Sequence, residues 1–266
     1  MGKKVNVCMC VKDRQSSVKA SIDSILDQTY DDYSILLCDD GSSDYTMNTL
    51  LEYQNANPDK VTAWQNPDPG YIKCHNFILS KTDAEYICIM DSDDFVDRTK
   101  IEMQVKFLDE HPDVDVVSSC VMFPNKQVLV NSFVELDDKT ISDALKKNMP
   151  ISTIFHIGAV MFRRKCLEKF TNGVYFYDEY EEGRAGDGFL YTLHFLGYKF
   201  ANIISTIYVY SKGLIKNSLS NTKKQQFAAA MDLLDYENKQ KFIMEMFGNY
   251  NAIKKKRGRP KKTPTV

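Results

Sequence analysis

The sequence predicts an α/β fold with a mixed, mostly parallel central sheet flanked by helices, and three observations predict it. Short apolar runs alternate with amphipathic helical patterns over about the first 120 residues. Three of those runs stop at charged turns: Lys12-Asp13-Arg14, Asp39-Asp40-Gly41-Ser42 and Asp91-Ser92-Asp93-Asp94. The run before the third turn, Tyr86-Ile87-Cys88-Ile89-Met90, is continuous and too short for a helix, which suits a strand covered on both faces.

In chain order, Val5 to Val11 reads as the first strand, broken by Lys12-Asp13-Arg14. From Ser16 to Gln28, Val18, Ile22, Ile25 and Leu26 fall on one face of a helix opened by Ser16 or Ser17. Ser34 to Cys38 is a second strand, followed by a helix from Thr46 to Asn55 and a strand from Val61 to Trp64. Gly70 to Ser80 is helical, with Ile72, Phe77 and Ile78 facing inward. Arg98 to Glu110 is amphipathic through Ile101, Val105 and Leu108, Pro112 marks its end, and Val114 to Met122 is a strand.

The second half is less regular. Strands are expected at Gln127–Phe133, Ile157–Phe162 and Thr206–Tyr210. Helices are expected at Ile141–Lys147, after Phe162 through Leu167, at Phe189–Leu196 and at Lys223–Met246, with a loop from Tyr175 to Gly188.

Composition narrows the class. With 266 residues, 43% hydrophobic and 26% charged, the chain has material for one sizeable core. No apolar run approaches the roughly 18 residues that a bilayer requires. The start, Met1-Gly2-Lys3-Lys4, leads into a strand instead of a signal peptide, and Asn6 stands where a myristoylation motif wants Ser or Thr. A soluble, cytoplasmic protein is expected. The seven cysteines, Cys8, Cys10, Cys38, Cys74, Cys88, Cys120 and Cys166, sit mostly in apolar runs with no Cys-x-x-Cys pair, which argues for a reducing compartment and against a zinc site. Residues 254–262 carry seven basic groups, so a net charge of −2 leaves the rest of the chain at −9. The body is acidic and the tail is a separate basic arm.

Three carboxylates in the four residues Asp91 to Asp94 repel one another, at a cost of about a kcal/mol per pair even when screened. A divalent cation removes that cost, and hard oxygen ligands suit Mg²⁺ or Mn²⁺ bridging to a diphosphate. Capping the next helix is the plainer role for such aspartates. An EF-hand is excluded, because Val96 stands where its glycine belongs and Phe95 where an oxygen ligand belongs. In an open α/β sheet the carboxyl ends of strands form the ligand crevice, so the three charged turns should converge. Neither Gly-x-Gly-x-x-Gly nor a Walker A loop is present, which leaves phosphate to be handled by metal.

At this point the motifs carry a resemblance. Val5–Val11, Gln28-Thr29, the run Cys38-Asp39-Asp40-Gly41-Ser42-Ser43-Asp44-x-Thr46, Gly70 through Asn76 and Met90-Asp91-Ser92-Asp93-Asp94 come in the order that resembles a family 2 glycosyltransferase of GT-A, Rossmann-like fold. The resemblance is strong over about residues 4–125 and weaker over 150–222. It implies one catalytic domain, 1–222, with a nucleotide-sugar half (1–125) and an acceptor half (126–222), then a helix at 223–250 and a basic tail at 251–266.

The resemblance also implies roles. Asp40 contacts the nucleotide base with Asp39 beside it, Asp91 lies near the ribose with Ser92 next to it, and Asp93 holds the metal, Mn²⁺ or Mg²⁺, on the diphosphate of a nucleotide sugar, a UDP-sugar being favoured. Val11, Asp13 and Arg14 occupy the base-binding loop, where the family's usual Pro-x-Tyr-Asn is absent. Asn76 matches a family asparagine, and His75 replaces the usual arginine before it. Asp187, in Gly186-Asp187-Gly188-Phe189, resembles the catalytic base, with helix capping as its plainer role and Glu179, Glu181 and Glu182 as rivals. Tyr208-x-Tyr210 with Ser218-Leu219-Ser220 resembles the end of the catalytic domain, and the metal-binding histidine that many members place between them is missing. His156 is either structural or a wall of the acceptor pocket, and the acceptor would be a glycan, glycolipid or glycoprotein.

Two other classes compete. A sugar nucleotidyltransferase would need glycines beside Lys12-Asp13-Arg14, and a non-catalytic nucleotide- or carbohydrate-binding module would bind without turnover. In the tail, Arg257-Gly258-Arg259-Pro260 flanked by lysines resembles an AT-hook, a basic arm for DNA. A nuclear-import signal or an anionic-membrane contact has the same composition.

Overall fold

The computed structural model describes residues 2–122, 155–170, 173–176 and 185–209. Among them, β1 (Val5–Val11), β2 (Tyr33–Asp39), β3 (Val61–Gln65), β4 (Tyr86–Ile89), β5 (Phe95–Val96), β6 (Val116–Met122), β7 (Val160–Arg163) and β8 (Phe200–Val209) form one sheet, in the order β3-β2-β1-β4-β7-β6-β8-β5. β1 pairs in parallel with β2 and β4, and β2 with β3. β7 lies antiparallel between β4 and β6, β8 is parallel to β6, and β5 closes the edge antiparallel to β8. The carboxyl ends of β1, β2, β3 and β4 therefore meet one edge of the sheet, which the start of β7 also reaches.

The strands are apolar throughout because both faces are covered. On one face Val5, Val7, Met9, Ile35, Leu37, Tyr86 and Cys88 pack against α1 (Val18–Leu26), α2 (Thr46–Ala56) and α4 (Lys100–Glu110) through Val18, Ile22, Ile25, Leu50, Ile101, Val105 and Leu108. On the other, Cys8, Leu36, Cys38, Ile87 and Ile89 meet α3 (Tyr71–Leu79) and α5 (Ala185–Phe195) through Ile72, Cys74, Ile78, Phe189, Leu190 and Leu193. Each fully buried aliphatic side chain contributes about 1.5–3 kcal/mol, so the three-residue stripe of α1 alone is worth several. After α4, His111 leaves helical geometry and Pro112 prevents its return.

Departures from the sequence reading cluster after residue 90. β5 was not expected, since two residues show no periodicity. β7 begins at Val160 and not Ile157, because residues 157–159 form a 3-10 turn whose Gly158 amide donates to His156 Nδ1 at 3.2 Å. The segment after it, Arg164–Leu167, is also 3-10 rather than α-helical. α5 starts at Ala185, so Gly186-Asp187-Gly188 lies in its first turn and not in a loop; buried Phe189, Leu190 and Leu193 hold this helix on the sheet despite its two glycines. β8 runs from Phe200 where only Thr206 onward was expected. The expected elements at 127–133, 141–147 and 223–246 and the basic tail lie outside the described residues.

Candidate active site

The turns after β1 and β2 are tied together. Asp13, held at φ +50°, accepts from the amide of Ser43 at 2.8 Å and its hydroxyl at 3.0 Å, and its own amide donates to Ser42 Oγ at 2.9 Å. The Arg14 amide donates to Thr46 Oγ1 at 2.8 Å, and the Val11 carbonyl accepts from the Asp40 amide at 2.8 Å. Val11 contributes backbone here, since its side chain is in the core.

The paired aspartates differ. Asp40 Oδ1 accepts from Asn66 Nδ2 at 2.8 Å and from the Gly70 amide at 2.7 Å, while Lys12 Nζ lies 4.0 Å from Oδ2. Asp39 Oδ2 accepts from the amides of Gly41 and Ser42, but its buried Oδ1 has no hydrogen-bond partner among the described residues. A buried acceptor left in this state costs about 1–3 kcal/mol, which a donor placed against it would relieve. Asn76, on α3, clamps residues 175 and 176: its Oδ1 accepts from both amides at 2.8 Å and its Nδ2 donates to the Phe176 carbonyl at 2.9 Å.

At the end of β4, three ligand atoms from Asp91, Asp94 and His156 lie within 4.8 Å of one another. Tyr208 organises them. Its hydroxyl donates to Asp94 Oδ2, its ring lies 5.2 Å from the His156 ring, and it passes so close to Gly158 that a Cβ there would sit 2.1 Å from the hydroxyl oxygen. Burial and the charges of Asp94 and Asp91 hold the Tyr208 phenol well above its ordinary value, so it stays a donor. Burial, and after it the charge of Asp93, pushes the Asp91 carboxyl up to about 6, against the pull of His75, Tyr208 and Arg14. Two carboxylates, which are hard oxygen donors, and one imidazole form a donor set that fits a divalent cation such as Mn²⁺.

Asp93, the residue to which the sequence resemblance gave the metal, is not in that cluster; its Oδ2 lies 3.8 Å from Arg14 Nε, joining the β1 turn to the β4 turn. Ser92 is buried, and its carbonyl accepts from Ser21 Oγ at 3.0 Å, which fixes the turn to α1. His75 is buried on α3 with its Nδ1 2.9 Å from the Tyr71 carbonyl; burial holds it below the ordinary imidazole value against that carbonyl and the charges of Asp91 and Asp40. Asp187 follows Gly186 in the first turn of α5, and a Cβ on Gly186 would lie 2.8 Å from Ile157, the neighbour of His156.

Sequence reasoning missed Asp94, Tyr208 and the place of His156 beside the aspartates. Asp94 stood in the motif and was open to selection. His156 carried no local signal, because only the antiparallel return of β7 along β4 brings it there.

The fold with this acidic, histidine-bearing edge defines the class: a GT-A-type architecture. The family model described as "Glycosyl transferase family 2" matches residues 6–171, and the chain belongs to that family. It is 33% identical over 119 residues to EpsE of Bacillus subtilis, named as a glycosyltransferase, covering 44% of this chain and 43% of that protein. It is 28% identical over 142 residues to the UDP-Glc:alpha-D-GlcNAc-diphosphoundecaprenol beta-1,3-glucosyltransferase WfgD of Escherichia coli, covering 53% and 55%. The chain thus spans about half the length of these two relatives. Among solved structures, a mannosyltransferase of Pyrobaculum calidifontis in complex with GDP-Man and Mn²⁺ aligns with a TM-score of 0.60 at 20% identity over 79% of this chain and 57% of that one. S. aureus TarS 1-349 in complex with UDP aligns at 0.62 and 16% identity over 98% and 75%. At these identities the likeness is one of fold.

Proposed function

We propose that the protein transfers a glycosyl group from a nucleoside diphosphate sugar, with a UDP-sugar favoured, to a hydroxyl of a glycan, glycolipid or glycoprotein acceptor, with inversion. The observation that carries this reading is the cluster of Asp91, Asp94 and His156 at the carboxyl edge of β4 in a family 2 chain. These three residues would hold the divalent cation, with Asp93 and Arg14 bordering it. Bound there, a Mn²⁺ or Mg²⁺ ion supplies Lewis-acid neutralisation of the departing diphosphate, an effect of several kcal/mol.

The chain's own residues do the rest. Asp39, with its unsatisfied Oδ1, accepts an N–H of the base, and Asp40 with Asn66 and Gly70 holds the wall behind it. The latch of Asp13 on Ser42 and Ser43 shapes the base loop, and Lys12 and Arg14 offer positive charge where a nucleotide would lie. Asn76 fixes residues 175 and 176 against α3 on the acceptor side. Asp187, in the first turn of α5, takes the proton of the acceptor hydroxyl as its oxygen attacks the anomeric carbon, a general-base contribution of about 10²- to 10⁴-fold.

The support for uridine is the UDP-sugar in the WfgD name and the UDP bound to TarS, against the GDP-Man of the archaeal neighbour. A panel of nucleotide sugars with Mn²⁺, scored for sugar release and for protection against thermal unfolding, tests the reading. One donor should be turned over only with metal, and Asp187→Asn should keep its protection while turnover falls at least about a hundredfold. Protection without turnover by any donor would favour a binding module.

A further inference from the structure

On the opposite side of β4 from His75, the amine of Lys100 lies 3.8 Å from the sulfur of Cys88. Both side chains are buried, Lys100 at 3% exposure and Cys88 at 1%. Lysine is almost never buried without a partner, and among the described residues this one meets a thiol and no carboxylate. Val7, Ile25, Met90, Val96 and Ile101 line the small crevice around the pair. Burial lowers the amine below its ordinary value and raises the thiol above its own, each against the pull of the other. At 3.8 Å the amine, in its unprotonated form a base and a nucleophile, is within reach of the sulfur, and the electrophile that suits it is a sulfenic acid there. Cys88 is in β4 and Lys100 opens α4, so the chain between them contains Asp91, Asp93 and Asp94.

We propose that Cys88 and Lys100 form an oxidant-triggered sulfur–nitrogen cross-link that closes the aspartate-bearing turn into a covalent ring. The oxidant is hydrogen peroxide, which reaches the buried pair when the crevice opens. The Lys100 amine takes the thiol proton, and the sulfur attacks a peroxide oxygen. The O–O bond breaks, and the leaving hydroxide regains that proton as water, leaving Cys88 as the sulfenic acid. The nitrogen lone pair then attacks the sulfur, the S–O bond breaks, and the hydroxide departs with a proton from nitrogen as a second water. One peroxide is reduced to two waters, and the protein loses two hydrogens. Two equivalents of a thiol reductant reverse the bond.

The test treats the full chain with hydrogen peroxide, quenches it, and maps it with trypsin without reductant. Trypsin cannot cut after a Lys100 whose nitrogen is bonded, so the peptide Thr82–Arg98 should appear joined to Thr99–Lys106, and dithiothreitol should separate them. The linked protein should melt several degrees higher, because the ring restricts the unfolded chain. Lys100→Met and, as a polar control, Lys100→Arg should lose the link, with Thr82–Arg98 recovered unjoined and Cys88 as the thiol, since both remove the base and the nucleophile. Normal cleavage after Lys100 in oxidised wild type, or Cys88 recovered there as a dimedone adduct or in a disulfide, overturns the proposal.

Discussion

Tyr208 ties the candidate cation site together at the level of single residues. It donates to Asp94, lies over His156 and occupies the space a side chain at position 158 would need. Gly158→Ala should therefore push the tyrosine off Asp94, lowering stability by about 1–3 kcal/mol and weakening Mn²⁺ binding; chemical denaturation and a Mn²⁺ titration measure the two effects. Asp91 sets the pH dependence. Its carboxyl must be ionised to hold a cation, so Mn²⁺ affinity should fall as pH drops through about 6, by about tenfold per unit below it. For stability the sign reverses. A carboxyl whose folded value is raised above its ordinary one binds protons more tightly folded than unfolded, so the metal-free protein gains stability as pH falls from about 6 toward the ordinary carboxyl value of 3.8. Asp91→Asn should accordingly melt higher than wild type without metal and lose its response to Mn²⁺ in a thermal-shift series.

At the level of elements, the reach of the sequence reading follows from what each pattern encodes. β1, β2 and β4 were legible as short continuous apolar runs and α1 and α4 because their burial repeats with a helix period, and their ends are marked by Lys12, Asp39, Asp91 and Pro112. The start of β8 was hidden, since Asn202 is polar yet buried, and β5 is too short to have a period. Asp187 read as part of a loop because Gly186 and Gly188 look like breakers, whereas Gly186 is small so that α5 can approach Ile157. The site divides the same way. Asp39, Asp40 and Asp91 stand at the ends of strands, where the sequence singles them out as candidates, while His156 and Tyr208 arrive through β7 and β8, whose pairing no local pattern announces. The covered sheet also carries a stability expectation: Leu37→Ala, fully buried on β2, should cost about 2–5 kcal/mol in urea unfolding.

For the molecule as a whole, the sheet places two kinds of chemistry on one edge. The turns of β1 and β2 offer carboxylates and amides suited to a nucleotide, and the end of β4 with β7 and β8 offers carboxylates and an imidazole suited to a cation. Arg14 and Asp93 join the two parts. The basic run at 254–262 lies outside the described residues, and its composition suits an anionic partner such as DNA or a membrane surface. If that run binds DNA, removing residues 254–266 should abolish a binding constant that falls steeply with salt; a binding constant unchanged by the deletion would exclude it. The direct test of the central claim is a Mn²⁺ titration followed by electron paramagnetic resonance on wild type, Asp94→Asn, His156→Ala and Asp93→Asn. Loss of binding in Asp94→Asn and His156→Ala with binding kept in Asp93→Asn is the predicted result, and the reverse pattern would contradict it.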